Sequence, residues 1–455
     1  MSYQTINPAN NTLIKSWTSH SDEQIEQALA TADALYHSNW SKGDIHPRLQ
    51  VLRALAERIE AREEELATAA SVEMGKLIEQ SRGEVRLCAQ IARYYAENAE
   101  RFLAPVPYPT EEGEAWVEHH PVGVLVAVEP WNFPFYQLMR VLAPNLAAGN
   151  PVLAKHAQNV PHCAVLFAEL VIEAGAPVGA WTNLFASNEQ IAQLIADDRV
   201  QGAALTGSER AGSAVAEQAG KYLKKTTLEL GGNDVFVVLD DCDLDKAVKV
   251  GAGARLSNCG QVCTAAKRFL VHEKIAEAFM AKLIAAFQAV KLGDPLDSAT
   301  TLGPLSSLEA RDRLEKQVKQ AVERGAKLEL GGSPVDGVGC FYQPTILSEI
   351  TRDNPAWFEE FFGPVAQVYI VSSDDEVVKL ANDSHYGLGG SIFTGDIARG
   401  RALASRIETG MVFINSASDT APELPFGGIK RSGYGRELSD LGIKEFVNQK
   451  LVVVR

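Results

Sequence analysis

Residues 122–128, Val122-Gly-Val-Leu-Val-Ala-Val128, run straight into Glu129-Pro130-Trp131-Asn132-Phe133-Pro134. The first part is continuously apolar and rich in valine, without the alternation of a half-exposed strand, so it reads as a strand buried on both faces. Prolines close the second part, and helical spacing follows over 135–148. A second strand then fits 151–155, a helix 161–174, and further strands 181–186, 200–205 and 226–230 with helices between them. Strand–helix alternation of this kind implies a parallel sheet covered on both faces. A second block repeats the pattern, with strands at 234–239 and 268–272, helices at 244–257 and 274–290, and later strands near 327–330 and 365–370. The expected fold class is therefore α/β with two doubly wound parallel-sheet lobes. Upstream, the first hundred residues read as helical. Ser21-x-x-Gln24 is a capping-box pattern, and Ile25, Ala28, Leu29, Ala32, Leu35 and Tyr36 recur at helical spacing. Two more helices fit 48–74, ending at Gly75, and 80–102. Residues 105–109 break the regularity, and 116–119 read as extended chain.

The composition narrows the function. The chain has 455 residues, 43 Lys+Arg against 58 Asp+Glu, and a net charge of −15. With 46% hydrophobic and 22% charged residues it is too apolar for disorder, and its length suits two or three domains of roughly 100–200 residues. The acidic balance argues against nucleic-acid binding, which leans on clustered Lys and Arg. Cys88, Cys163, Cys242, Cys259, Cys263 and Cys340 are scattered, without a CxxC pair, so neither a disulfide framework nor a metal site is expected. Residues 1–10 carry no apolar leader core, and no apolar run reaches the roughly 18 residues of a membrane span. A cytoplasmic, membrane-free protein with reduced thiols is expected.

Open α/β sheets bind ligands beyond the carboxyl ends of their strands. The dinucleotide fingerprint GxGxxG is missing, since Gly251-Ala-Gly253 lacks its third glycine. Gly207-Ser-Glu-Arg-Ala-Gly212 resembles a phosphate loop but has Ser213 in place of the lysine. It still opens a helix after a strand, where free N–H groups can hold a phosphate or simply begin a helix. Asn132, pinned between prolines, reads either as a turn former or as a fixed amide donor to an oxyanion. Glu229 in Leu228-Glu229-Leu230-Gly231-Gly232 is either a paired surface carboxylate or a buried base with a raised pKa. Cys263 in Gly260-Gln261-Val262-Cys263 is either a small buried hydrophobe or a nucleophile, and Cys259 competes with it. Spacing does not choose between them.

The ordered set of motifs adds to this. EPWNFP at 129–134, AGNPVLAK at 148–155, LTGS at 205–208, LELGG at 228–232 and GQVC at 260–263 precede EEFFGPV at 359–365, LPFGG at 424–428 and SGYGRE at 432–437. Together they resemble the aldehyde dehydrogenase superfamily over essentially the whole chain. Within it the sequence is most similar to bacterial succinate-semialdehyde dehydrogenases, through Lys155-His156-Ala157-x-Asn159-Val160 and the stretch from Asp419 to Arg436.

The resemblance implies a fold, a reaction and a set of roles. Cys263 would be the nucleophile, Glu229 the base that activates water, and Asn132 the oxyanion donor. For the cofactor, Lys155 and Gln158 would meet the adenosine ribose, Gly207 and Ser208 the pyrophosphate and Glu360 the nicotinamide ribose, with Trp131 and Phe362 packed nearby. Many NAD-preferring relatives carry a glutamate where this chain has Gln158. Losing that carboxylate removes repulsion against a 2′-phosphate, so NADP is expected to be accepted alongside NAD. Arg140 lies eight residues after Asn132, about two helical turns or ~12 Å, and both it and Tyr136 lean back towards the reacting end. The resemblance makes Arg140 the partner of a substrate carboxylate, helped by Thr420 and flanked by Phe426. A second family arginine, six residues before the nucleophile, is Ser257 here, and Arg255 is the candidate substitute.

The implied architecture is aldehyde dehydrogenase-like: a cofactor domain over 1–102 and 122–230, a catalytic domain over 231–445, and a β oligomerisation element from 103–121 and 446–455. A homodimer or homotetramer is expected. The leading expectation is NAD(P)-dependent oxidation of a small-molecule aldehyde, succinic semialdehyde, through a cysteine-bound thiohemiacetal and thioester. The alternatives are a broad dehydrogenase of other ω-carboxy or small aliphatic aldehydes, and a non-catalytic cofactor-binding protein on the same fold. A Cys259–Cys263 disulfide would be an off-switch.

Overall fold

A computed structural model describes residues 3–455. The strand at the head of the chain's α/β region, Val124–Glu129, is the middle of a six-stranded sheet. On one side it pairs in parallel with Val152–His156, which pairs with Trp181–Asn183. On the other it pairs with Val200–Thr206, which pairs with Lys225–Glu229. The chain thus builds outward in one direction, returns to the centre, and builds outward in the other. The strand order reverses between Val124–Glu129 and Val200–Thr206, which opens a crevice at their carboxyl ends. Every residue of Val152–His156 is buried, as a strand covered on both faces requires.

The second lobe is a seven-stranded sheet in the order Lys327–Leu330, Thr345–Ser348, Val365–Val371, Arg268–His272, Val235–Val238, Gly390–Phe393 and Phe413–Ile414. Only the Lys327–Leu330 edge is antiparallel. The link 230–234 runs directly from the carboxyl end of Lys225–Glu229 to the amino end of Val235–Val238. The first sheet therefore offers its strand carboxyl ends to the amino ends of the second, and the loops entering the second-lobe strands face the crevice.

Three departures from the sequence expectations have physical causes. Residues 3–17 are not helical: Tyr3–Asn7 and Thr12–Trp17 form an antiparallel hairpin, joined by a turn in which Asn11 takes a left-handed conformation. The long helix expected over 48–74 is two, His46–Ala61 and Glu63–Met74, broken at Arg62. The segment near the end of the expected catalytic domain packs elsewhere. Gly433–Tyr434 extends the first sheet, and Phe426, Leu438 and Ile443 join the first-lobe core. The capping box at Ser21 and the left-handed Gly75 stop are present as read. Beyond both lobes, Val447–Val454 pairs antiparallel with Glu114–Pro121, which also pairs with Val106–Pro107.

Candidate active site

The loop that leaves the central strand is clamped from three sides. Phe135, at the N-cap of helix Tyr136–Ala148, has no capping oxygen. Glu84 supplies one from the long helix Ile78–Leu103, its Oε1 accepting from the N–H groups of Phe135 (2.8 Å) and Tyr136 (3.0 Å). The other Glu84 oxygen is ion-paired with buried Lys76, whose ammonium lies 3.7 Å from the Phe133 ring centroid. The ring nitrogens of His156 lie 2.9 Å from the Pro134 carbonyl and 3.2 Å from that of Glu129. Burial pushes His156 down to about 4, so the ring is neutral and has one N–H to give.

This rigidity serves Asn132. Its Nδ2 donates to the Gln261 carbonyl (3.1 Å), and Asn258 Nδ2 donates to the Asn132 carbonyl (2.9 Å). A carboxamide has two N–H donors, so the second remains for an oxygen arriving in the cleft.

The cysteine loop is a tight turn on the facing lobe. Asn258, Cys259 and Gly260 follow one another with φ of 51°, 54° and 74°, and a left-handed backbone is costly for non-glycine residues. Arg255 holds the turn, its Nη2 donating to the carbonyls of Gly260 (2.6 Å) and Gly363 (2.8 Å). A Cβ on Gly260 would stand 2.1 Å from the Gly363 oxygen, so only glycine fits. These contacts correct two expectations. Arg255 is sealed from solvent and its Nη2 is taken up by backbone carbonyls, so it staples the turn and presents no open surface to a substrate. Cys259 packs into the second-lobe core while Cys263 packs against the first-lobe core, and both thiols are free. The turn sends the two side chains to different lobes, which removes the basis for a Cys259–Cys263 disulfide.

Cys263 opens onto a cavity of about 420 Å³ between the lobes, lined also by Trp131, Asn132, Gly207, Ser208, Glu229, Glu360 and Phe362. The sequence reading had singled out all of these, and the fold brings them together. Burial pushes the Cys263 thiol up to about 11, against the nearby charges of Lys267 and Arg140. Burial, with the Glu437 charge, also holds the Glu229 carboxyl well above the ordinary carboxylate range, and neither Glu229 oxygen has a hydrogen-bond partner. A buried, unpaired carboxyl of raised pKa is suited to act as a base near neutrality. Glu360 Oε1 accepts from Gly232 N–H (3.2 Å) and is ion-paired with Lys267 Nζ (2.9 Å). A Cβ on Gly231 would stand 2.3 Å from Glu360 Oε2, which explains the glycine there. The Trp131 and Phe362 rings meet edge to face at 5.8 Å.

The geometry suits a dinucleotide. Ser208 caps the thirteen-residue helix Glu209–Lys221 at the strand-order reversal, where first-turn N–H groups are available to a pyrophosphate. Lys155, at the end of the adjacent strand, is buried and has no carboxylate partner among the described residues; its ammonium lies 5.8 Å from the Tyr3 ring. An unpaired buried cation is costly and is suited to a phosphate. Lys155 and Gln158 lie outside the Cys263 cavity; Gln158 borders a separate hollow with His20, Asp22 and Ser187.

Tyr136, Arg140 and Phe426 form a neighbouring cluster that does not line the cavity. The Arg140 guanidinium lies 5.0 Å from the Tyr136 ring and 4.8 Å from Phe426, and Tyr136 reaches Thr420. Arg140 Nη1 donates to the Tyr136 hydroxyl (3.2 Å) and Nη2 to Thr206 Oγ1 (3.0 Å). Its Nε is ion-paired with Glu437, which the sequence reading passed over. Glu129, buried beside Thr206, also sits within reach of Arg140 and Glu437. Lys267, Gln137, Arg313 and Gln317 were missed as well. Their only signal was spatial, since each lies on an element that faces the cavity.

The model of the aldehyde dehydrogenase family matches residues 1–452. A succinate-semialdehyde dehydrogenase [NADP(+)] of Deinococcus radiodurans is 48% identical over 450 residues, covering 99% of this chain and 94% of the relative. Succinate semialdehyde dehydrogenase [NAD(P)+] Sad of Escherichia coli is 43% identical, covering 98% of this chain and 97% of the relative. The crystal structure of succinic semialdehyde dehydrogenase from Streptococcus pyogenes in complex with NADP+ superposes with a TM-score of 0.98 at 49% identity, covering 99% of each chain.

Proposed function

The chain belongs to the aldehyde dehydrogenase family, and from that premise we propose that it oxidises succinic semialdehyde to succinate with NADP+ or NAD+. One observation carries the reading: Cys263, Glu229 and Asn132 line one cavity beside Gly207, Ser208 and Glu360. Relatives named for that reaction span nearly the full chain.

The residues divide the work. A thiol whose pKa is pushed up to about 11 is protonated at neutral pH and needs a base, and Glu229 takes that proton. The Cys263 sulfur then bonds to the aldehyde carbon, and the oxygen, now an oxyanion, accepts from the free Asn132 Nδ2 proton and the Cys263 N–H. NADP+ or NAD+, when bound, supplies the acceptor for the hydride leaving that carbon. Lys155 holds the 2′-phosphate or ribose, Ser208 and Gly207 the pyrophosphate, and Glu360 the nicotinamide ribose. Glu229 passes the thiol proton to solvent and, as the carboxylate again, deprotonates a water, which attacks the thioester carbon; the C–S bond breaks, releasing the acid and returning the thiolate.

Arg140, Tyr136 and Thr420 would meet the substrate's distal carboxylate, with Phe426 packing against the guanidinium. The Arg140–Glu437 pair favours a second reading at the substrate level, in which neutral aldehydes of similar length are also turned over. The strand Val447–Val454, paired on one side only and carrying exposed Leu451, Val453 and Val454, is an edge suited to a second subunit, so we assign a homodimer or homotetramer. A cytoplasmic setting suits the six free thiols.

The deciding experiment compares kcat/KM for succinic semialdehyde with that for a neutral four-carbon aldehyde, using each cofactor. A preference of about ten-fold or more for the carboxylated substrate is expected. Equal efficiencies would remove the substrate assignment, and turnover surviving in Cys263→Ala would remove the mechanism.

A further inference from the structure

Lys267 is wholly buried beneath the cysteine loop, and its ammonium has three oxygen partners. It donates to the backbone carbonyl of Val262 at 2.9 Å and to the carbonyl of Cys263 itself, and it is ion-paired with Glu360 Oε1 at 2.9 Å. Its backbone is fixed as well: its N–H donates to the Asp234 carbonyl (3.2 Å), and its own carbonyl accepts from Gln367 N–H (2.9 Å). One immobile cation therefore joins the peptide of the nucleophile to the carboxylate assigned to the nicotinamide ribose.

We propose that Lys267 is a positioning residue that sets both the orientation of the Cys263 loop and the readiness of its sulfur to ionise, while holding Glu360 for the cofactor. The proposal rests on the assignment of Cys263 as nucleophile and Glu360 as a cofactor contact.

The electrostatics agree in sign. Lys267 and Arg140 favour the Cys263 thiolate, Glu360 and Asp234 oppose it, and Glu229 faces it across the cavity as the base. Glu360 reaches Lys267 from the loop before Val365–Val371, and Asp234 from the link before Val235–Val238. Removing Lys267 takes away one of the two cations that favour the thiolate, so ionisation becomes harder. Neutralising Glu360 leaves the Lys267 charge uncompensated, so ionisation becomes easier. Loss of structure alone would not give opposite signs for the two partners of one ion pair.

The test is alkylation of Cys263 by iodoacetamide, followed at the peptide level by mass spectrometry across about pH 6 to 10, a range bracketing ordinary thiols. The cofactor-free enzyme is compared with Lys267→Met, Lys267→Arg and Glu360→Gln. The midpoint is expected to rise by about one pH unit or more in Lys267→Met, to stay near the parent in Lys267→Arg, and to fall in Glu360→Gln. In parallel, Kd for NADP+ is expected to weaken about five-fold or more in Lys267→Met and to recover in Lys267→Arg. Should Lys267→Met fail to fold, Glu360→Gln carries the decision, because its predicted shift has the opposite sign. Unchanged midpoints in the folded variants, or a rise in Glu360→Gln, would overturn the proposal. The alkylation arm needs no turnover, so its failure is distinguishable from failure of the assigned reaction, which the Cys263→Ala assay reads.

Discussion

Arg140 and Glu437 form an ion pair with only 1% and 9% of their side chains exposed, in a cluster that also holds Glu129 and Glu229. One guanidinium therefore faces three buried carboxyl groups. Removing one partner of a buried pair leaves the other charged in low dielectric, which costs about 3–5 kcal/mol. Arg140→Met is expected to lose about that much, because Glu437 then has no cation beside it. Glu437→Gln should lose less, since a neutral amide still accepts from the guanidinium. Urea midpoints at unchanged m-value check the order, and a smaller loss in Arg140→Met than in Glu437→Gln would contradict it. The same Arg140→Met substitution should lower kcat/KM for succinic semialdehyde about ten-fold relative to a neutral four-carbon aldehyde.

Glu229 gives a prediction with a definite sign. Burial and the Glu437 charge hold its carboxyl well above the ordinary carboxylate range, and the base form is the one that ionises Cys263 and activates water. The rate should therefore rise with pH through a midpoint well above that of a free glutamate. Glu437→Gln removes a neighbouring negative charge and should move the midpoint down. Profiles of kcat against pH for parent and variant test this, and coincident profiles would show that Glu437 does not act on Glu229. In Glu229→Gln, hydrolysis should fall by about 10²–10⁴ at all pH values.

Legibility from the sequence followed how local each signal was. The loop before helix Tyr136–Ala148 could be read as stiff from its prolines, but the clamps come from Glu84, Lys76 and His156, on other elements. Cys263 and Cys259 looked equivalent at four residues apart. A left-handed turn separates them into different cores, and no spacing rule encodes a turn built on positive φ. Arg255 is a candidate ligand in the sequence only as the substitute for the family arginine that is Ser257 here. Its Nη2 is spent on the backbone carbonyls of Gly260, Phe361 and Gly363, the last two more than a hundred residues away. Lys267 and Glu437 act through partners distant in sequence or through backbone atoms, so residue type alone carried no signal. The sheet order was implied by strand–helix alternation, but facing carboxyl ends against amino ends required the short link 230–234.

Lys155 supplies the cofactor prediction. It is buried without a carboxylate partner among the described residues, and burial lowers its pKa, so a 2′-phosphate would provide its missing counter-charge. Lys155→Ala is expected to reduce kcat/KM with NADP+ about ten-fold or more while changing NAD+ efficiency by about three-fold or less. Initial rates with each cofactor over a range of concentrations check the split. Equal losses would mean that Lys155 holds only the ribose common to both.

Glu73 links folding to pH. It sits near the end of helix Glu63–Met74, and its carboxyl accepts from the N–H groups of His162 (2.9 Å) and Cys163 (2.8 Å), at the start of helix Pro161–Glu173. The Thr5 hydroxyl from the N-terminal hairpin donates to it as well. Burial nevertheless dominates, pushing its pKa from 4.5 up to about 7. A folded-state pKa above the unfolded value means that the folded chain holds more protons across this window. The contribution is thus complete below about pH 4.5 and is lost as pH rises through about 7. At about 1.4 kcal/mol per unit, that loss amounts to about 3 kcal/mol. Glu73→Gln cannot ionise, so its stability should fall less steeply between pH 4.5 and 7 than that of the parent. Asp234, pushed up to about 6 by burial, contributes in the same direction in both proteins, so the difference between the two curves isolates Glu73. Urea unfolding at a series of pH values measures that difference, and parallel curves would place the Glu73 pKa near its unfolded value.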